Sequence, residues 1–353
     1  MPLAACGDDA EPADTDAGSS SGAPTTGPDP STTGMTTDPS TGSESSAADS
    51  SSGGASTSSD TGDETGSGDS SSTGGEPFDC SAIPMGPFAP TEVFSPFAGS
   101  EDIGFDGQGG LAGKNGPTSV RVVDGNGDEI ASFADAGQAY GLRYTLDGDL
   151  LVAHPQTGVI SQIAPDGGST NFATGIPGVN GIYPDFDGNV WVTDLSQVLR
   201  FDAAGSPTTI VSGGDGNGAN GIVYDPDRGF AFFTNYGAGR LAKVEISGDG
   251  SPGAITELDT VAGALFDGLA LDICGNLYAV DNGNARIYRL MLDENADAVG
   301  DAVDIVDGNM QNIANAQFGR GEGFEETSLY AAGNPGVVYR LDVGVPGAPI
   351  PLP

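Results

Sequence analysis

Acids and amides recur at one position of a repeating frame. The copies read Glu101-Asp102-Ile103-Gly104-Phe105-Asp106, Tyr140-Gly141-Leu142-Arg143-Tyr144, Asn180-Gly181-Ile182-Tyr183-Pro184-Asp185, Asn220-Gly221-Ile222-Val223-Tyr224-Asp225, Asp267-Gly268-Leu269-Ala270-Leu271-Asp272 and Ala314-Asn315-Ala316-Gln317-Phe318-Gly319. Their first residues lie 39, 40, 40, 47 and 47 apart. A fold that gathers them brings together two carboxylates, Glu101 and Asp267, and two amides, Asn180 and Asn220, with no Lys or Arg. Facing carboxylates disfavour each other's ionisation. A divalent cation removes that cost, and oxygen-only donors suit a hard ion such as Ca²⁺, Mg²⁺ or Mn²⁺. Asn-Gly and Asp-Gly are also turn dipeptides. That account is the better one for any single residue, but not for Glu, Asn and Asp at one register.

The frame also identifies the element that carries it. The third position is apolar in every copy and the fifth is apolar or Pro, the period of a strand with one buried face. A Gly-containing turn and a second strand follow, as in Gly188-Asn189-Val190-Trp191-Val192-Thr193-Asp194. A third strand comes next, such as Arg286-Ile287-Tyr288-Arg289-Leu290, and then a weaker fourth, such as Pro207-Thr208-Thr209-Ile210-Val211. Four short antiparallel strands per period of about 40 residues make a propeller blade. The expectation is an all-β, six-bladed β-propeller over residues 77–353; a parallel β-helix would need a much shorter period. An open ring would leave two sheet edges exposed, so Thr91–Phe97 is expected to close it as the outer strand of the last blade. If all inner strands run the same way, the first residues form a ring at one mouth of the channel.

The frames Asn220-Gly221-Ile222-Val223-Tyr224-Asp225 and Asp267-Gly268-Leu269-Ala270-Leu271-Asp272, the continuation Gly275-Asn276-Leu277-Tyr278, and Asn315-Ala316-Gln317-Phe318-Gly319 resemble the senescence-marker-protein/gluconolactonase family, with its luciferin-regenerating and regucalcin-like members. The resemblance covers residues 90 to 345. It implies a six-bladed propeller with one divalent metal in the channel. It places metal ligands at Glu101, Asn220 and Asp267, a general base at Asp267, and a substrate-orienting amide at Asn180. The ion it implies is Ca²⁺ first, with Mg²⁺, Mn²⁺ or Zn²⁺ as the others. Family lactonases often carry an Arg two residues before that last Asn. Gly178 stands there in this chain, which counts against sugar-acid lactones as substrate.

The second strands end at the same mouth, where His154, Asp194, Asn235 and Asp281 fall. Asp194, Asn235 and Asp281 are expected as an outer ring of substrate contacts; a solvated-turn role is the competing account. His154 is the sole histidine, has no partner evident in the sequence and receives no catalytic role. Asp124-Gly125-Asn126-Gly127-Asp128 opens like a Ca²⁺ loop but has Glu129 where glycine is required, so a hairpin turn is expected. Asp293-Glu294-Asn295-Ala296-Asp297 is expected as a solvated loop. No serine sits with a histidine in a motif, so a Ser-His-Asp triad is not supported.

Composition bounds the partners. The chain has 50 acidic and 11 basic residues, net −39. That argues against binding nucleic acid, where cations must replace counterions, and against docking on an anionic membrane surface. Residues 7–76 contain no Phe, Tyr, Trp, Ile, Val or Leu; with no apolar surface to bury they are expected to form a disordered linker. Fourteen acids lie in residues 1–76, so residues 77–353 carry 11 − 36 = −25. Leu3-Ala4-Ala5-Cys6-Gly7 resembles a bacterial lipobox without the charged and apolar segments that should come first; residues 1–6 are expected to be the remnant of a lipoprotein signal with Cys6 lipidated, a chance match being the competing account. Membrane contact is expected through that anchor alone, at the cell envelope or outside the cell, with the protein a monomer. Cys80 and Cys274 remain as an even pair, expected to form a disulfide in an oxidising compartment; two free thiols are the competing account.

The function expected is metal-dependent hydrolysis of a lactone or related ester, acting on a small-molecule substrate. The competing readings are a surface-displayed binding propeller with a structural divalent metal, and a relative of the strictosidine-synthase-like propellers. Those last lack the acidic metal set, so Glu101 with Asp267 counts against them.

Overall fold

The computed structural model describes residues 78–353; the expected signal remnant, Cys6 and the linker lie outside them. The described residues form six four-stranded antiparallel sheets. Their inner strands are Ile103–Phe105, Leu142–Tyr144, Ile182–Pro184, Ala219–Asp225, Phe266–Leu271 and Asn315–Phe318. Each inner strand touches the next, and the sixth touches the first, so the ring of blades is closed. Two short 3-10 turns, Cys80–Ala82 and Gly213–Gly216, are the only helical elements among the described residues. This is the six-bladed propeller anticipated from the repeat.

Closure uses both ends of the folded segment. The strand Thr91–Phe94 joins Val338–Leu341 as the outer strand of blade six, pairing Thr91 with Arg340 and Phe94 with Val338. It is shorter than expected, since Phe97 leaves the sheet and packs its ring over Gly113. The segment before it crosses blade five, where Phe88 N–H donates to Ile305 O (2.7 Å) and Arg289 donates to Pro84 O (2.7 Å). Cys80 and Cys274 are joined in a disulfide that closes a loop of 194 residues. It ties the root of the domain to the first turn of blade five.

Blade packing follows from the apolar third and fifth positions. Ile103, Leu142, Ile182, Ile222 and Leu269 are all buried. Trp191 stacks on Tyr224 of the next blade at 4.5 Å between ring centroids, and its indole N–H donates to Asp185 (2.9 Å).

The acidity of the fold has a structural use. Asp106, Asp124, Asp185, Asp202 and Asp293 each take backbone N–H groups two and four residues ahead on one carboxylate oxygen. These are Asx turns, which fix tight reversals locally. Asp124–Asp128 is thus a hairpin turn, as expected. The Asp293–Asp297 loop does more than expected, because Lys243 of blade four is held by Asn295 O (2.9 Å) and Asp297 (2.7 Å).

Glycine follows the ring residue for a steric reason. A Cβ on Gly221 would run into the Asp267 carbonyl oxygen and the backbone of Gly268 and Leu269; one on Gly181 would run into the Asn220 carbonyl oxygen. Asn220-Gly221 and Asp267-Gly268 therefore lie inside strands, not in turns. Gly221→Ala should destabilise by about 1–3 kcal/mol through overpacking against backbone. Cys80→Ser should cost about 5 kcal/mol on the chain-entropy account of so long a loop. Urea melts of each variant check both values, and an unchanged midpoint for Gly221→Ala would contradict the clearance argument.

Candidate functional site at the channel mouth

Strand irregularity, not strand regularity, presents the ring residues. In blade four the pairing steps from Ala219–Asn235 to Ile222–Phe233, and in blade five from Phe266–Asp281 to Leu269–Ala279. Asn220 and Asp267 sit on these bulges, a device that re-aims side chains at strand ends. Two threonines of the second strands hold the bulges. Thr193 Oγ1 accepts from Gly181 N–H (2.8 Å) and donates to Asn220 O. Thr234 Oγ1 accepts from Gly221 N–H (2.7 Å) and donates to Asp267 O (2.8 Å). The backbones of Asn220 and Asp267 are thus each pinned by the preceding blade.

The electrostatics show which ring residues share one space. Burial pushes the Glu101 carboxyl up from 4.5 to about 7, and the neighbouring Asp102 adds to the shift. Burial also drives Asp267 well above the usual carboxylate range, followed by repulsion from Glu101 and then Asp102; the Asn220 amide, hydrogen-bonded to Asp267, works the other way. Glu101 and Asp267 are half-buried and Asn220 is buried, so the three share one partly desolvated region. Asn180 is buried at the same register, its N–H on Thr193 O (2.8 Å). Tyr140 and Ala314 hold the remaining ring positions.

Residues that the sequence reading passed over complete the mouth. Asp102 fills the slot that glycine holds in blades two to five. It is fully buried, accepts from Ile103 N–H (2.8 Å) and Leu142 N–H (2.9 Å), and pairs with Arg143. Burial raises its pKa against the opposing effects of Arg143 and the two N–H groups. Arg143 is thereby committed, and among the described residues Glu101 and Asp267 form no ion pair. Tyr236 faces the same acids: burial first, then Asp267 and Glu101, raise its phenol. Asp102 and Arg143 were detectable as charged departures at the second and fourth frame positions; Tyr236 carried no repeat signal.

The second-strand ends serve turns. Asp194 accepts from Ser196 N–H (3.0 Å), Gln197 N–H (3.0 Å) and the Gln197 amide (2.7 Å). Asp281 accepts from Leu265 N–H (3.0 Å) and the Asn284 amide (2.7 Å). Asn235 donates to Asp215 O (3.0 Å) and Asn217 O (2.9 Å). All three are buried and their polar atoms brace turns, where the solvated-turn account had them in water. His154 does have a partner, lying 3.0 Å from Asp135, which also pairs with buried Lys114. Burial pushes the Asp135 carboxyl up, but His154 and Lys114 outweigh it and hold it below the usual range. Asp135 lies in a loop outside the repeat, which is why the frame did not reveal the cluster.

No family model matches the chain, and no curated protein matches it by sequence. Solved structures do share its fold. A calcium-binding regucalcin from Agrobacterium tumefaciens aligns with a TM-score of 0.60 at 17% identity, over 76% of this chain and 98% of its own. A gluconolactonase from Xanthomonas campestris gives 0.56 at 16%, over 75% and 91%. A streptogramin B lyase gives 0.54 at 14%, over 72% and 97%. These likenesses establish architecture. A binding protein, a hydrolase and a lyase share it, so function has to be argued from the site.

Among the described residues no three or more His, Cys, Asp or Glu side chains gather as a metal cluster. The mouth instead offers two carboxylates without a counter-cation, backed by an amide. That donor chemistry fits one hard divalent ion completed by water. In metal-free protein the folded state keeps a proton on Glu101 that the unfolded chain has already released. Stability should therefore fall as pH rises from about 4.5 to about 7 and stay low above. Added Ca²⁺ should raise the melting temperature more at pH 8 than at pH 5, and Glu101→Gln should make the metal-free protein more stable at pH 8. Scanning calorimetry with chelator and with Ca²⁺ checks this, and equal Ca²⁺ shifts at both pH values would refute it.

Proposed function

We propose that this protein is a metal-dependent hydrolase of a lactone or related ester. The observation that carries the reading is the pair of partly desolvated, uncompensated acids, Glu101 and Asp267, beside Asn220 at one mouth of the channel. Glu101, Asn220 and Asp267 would hold the cation. When bound, it supplies Lewis-acid polarisation of the substrate carbonyl and stabilises the oxyanion. Asp267, whose carboxylate has no cationic partner, takes the proton of the attacking water. Asn180 orients the substrate through its amide, and Tyr236, within the field of the same acids, would donate to a leaving oxygen. Lys and Arg are missing from the ring, and Gly178 leaves the approach to Asn180 without a cation. The site therefore suits a neutral lactone better than an anionic sugar acid.

The expected location belongs to the same proposal. The disulfide between Cys80 and Cys274 supports an oxidising compartment. In this proposal residues 7–76 connect the domain to a lipidated Cys6, and the domain acts as a monomer. Mass spectrometry of the mature N-terminus tests the anchor.

Glu101→Gln and Asp267→Asn should each lower kcat/KM by at least about 10²-fold on a responsive lactone while the fold persists. Asn180→Ala should cost about tenfold, mainly in KM. A lactone and ester panel, run with elemental analysis, tests the set. Stoichiometric Ca²⁺ with no turnover on any substrate would favour the binding propeller instead.

A further inference from the structure

The channel end opposite the acidic mouth is covered by the chain's own C-terminal segment. After the last strand the chain crosses blade five, with Ile273 N–H on Pro346 O (2.9 Å) and Ala348 N–H on Leu271 O (2.9 Å). Ala348, Ile350, Pro351 and Leu352 then wall a cavity of about 50 Å³. The facing wall is apolar and comes from late positions of the inner frames, including Phe105, Leu271 and Phe318. No Asp or Glu lines it.

The polar groups in this cavity are mainly donors. Arg143 is spent on Asp102 and the Gln317 amide on Ile103 O. Two groups remain. Tyr183 is only 7% exposed, and its hydroxyl has no hydrogen-bond partner among the described residues. Arg320 donates to Ala348 O but forms no ion pair among the described residues. Burial pulls its pKa below the ordinary guanidinium value, and Glu326 acts on it only from a distance. Both guanidiniums, Arg143 and Arg320, lie close enough to Tyr183 to act on its hydroxyl. The acids that also reach Tyr183 are already held, Asp225 by Arg228 (2.6 Å) and Asp185 by Trp191 (2.9 Å).

Arg320 is half-buried; a partly desolvated charge without an ion-pair partner carries a cost that a bound anion relieves. The cavity holds roughly four water-sized atoms at 10–15 Å³ each. That is the size of a small carboxylate with a short alkyl end, and the walls are apolar where that end would lie. We propose that this cavity is a second binding site, for a short-chain monocarboxylate held by Arg320 and Tyr183 with its alkyl end against Phe105, Leu271 and Phe318.

Titration calorimetry on the full chain, at constant ionic strength, compares propionate with propionamide, 1-propanol and chloride. Propionate alone should bind saturably. Arg320→Gln should weaken it by at least about tenfold, Tyr183→Phe by less, and Glu101→Gln not at all, which separates this site from the acidic mouth. Crystals grown with 3-bromopropionate should show the bromine signal behind Ile350 and Leu352, a reading that stands even if Arg320→Gln does not fold. Propionate no tighter than propionamide, unchanged binding in a folded Arg320→Gln variant, or bromine only at the acidic mouth would overturn the proposal.

Discussion

The whole structure depends on how closely neighbouring inner strands approach. At the second position of the repeat, backbone meets backbone. A Cβ on Gly141, Gly181 or Gly221 would collide with the main-chain carbonyl of the next blade's ring residue. That contact sets a narrow ring, and the narrow ring forces Glu101 and Asp267 into each other's field. The raised carboxyls are a consequence of packing, since the glycines that permit closure also bring the acids together. Stability is given up at the mouth and recovered in the blades, where the third-position side chains are buried on both sides. Such local sacrifice is the usual mark of a site kept for something other than folding.

The exceptions to the glycine rule fall where the ring is sealed. Blade one has Asp102 and blade six has Asn315 in the slot, and these two blades meet where the closing strand is added. Asn315 packs its side chain over Gly268, so that glycine's clearance is used by an amide in place of a carbonyl. Asp102 uses its place to reach Arg143 of blade two. A buried ion pair is weak evidence for stability. It does fix the position of a charge beside Glu101, and it removes Arg143 from competition for the other two acids.

Much of this was legible in the sequence, and the reasons are physical. A period-two apolar frame repeated every 39 to 47 residues leaves few folds open, and the blade count and the closing strand followed from it. The ring itself was legible because it shares a register with the buried third position. What escaped lies outside that register. Thr193 and Thr234 act through hydroxyls facing the neighbouring blade, a relation no single repeat contains. Asp135 reaches His154 and Lys114 from a connecting loop. Asp194 and Asp281 shared the ring's periodicity but are consumed by turns, so periodicity alone overstated their freedom.

In a domain carrying −25, counting acids cannot locate a site, but the sign of their shifts can. Asp124, Asp249 and Asp293 take backbone N–H groups and are held below the usual carboxylate range. For them the anion is part of the fold, and protonation would loosen the turn. Glu101 and Asp267 are shifted the other way by burial and mutual repulsion. For them the anion opposes the fold unless a cation arrives. Asp272 shows that burial alone can raise a carboxyl, yet its oxygens are taken by Asn276 and Tyr278. The distinguishing pair of properties is a raised carboxyl and oxygens not spent on turns or cations, and it is this pair that singles out the mouth in so acidic a protein.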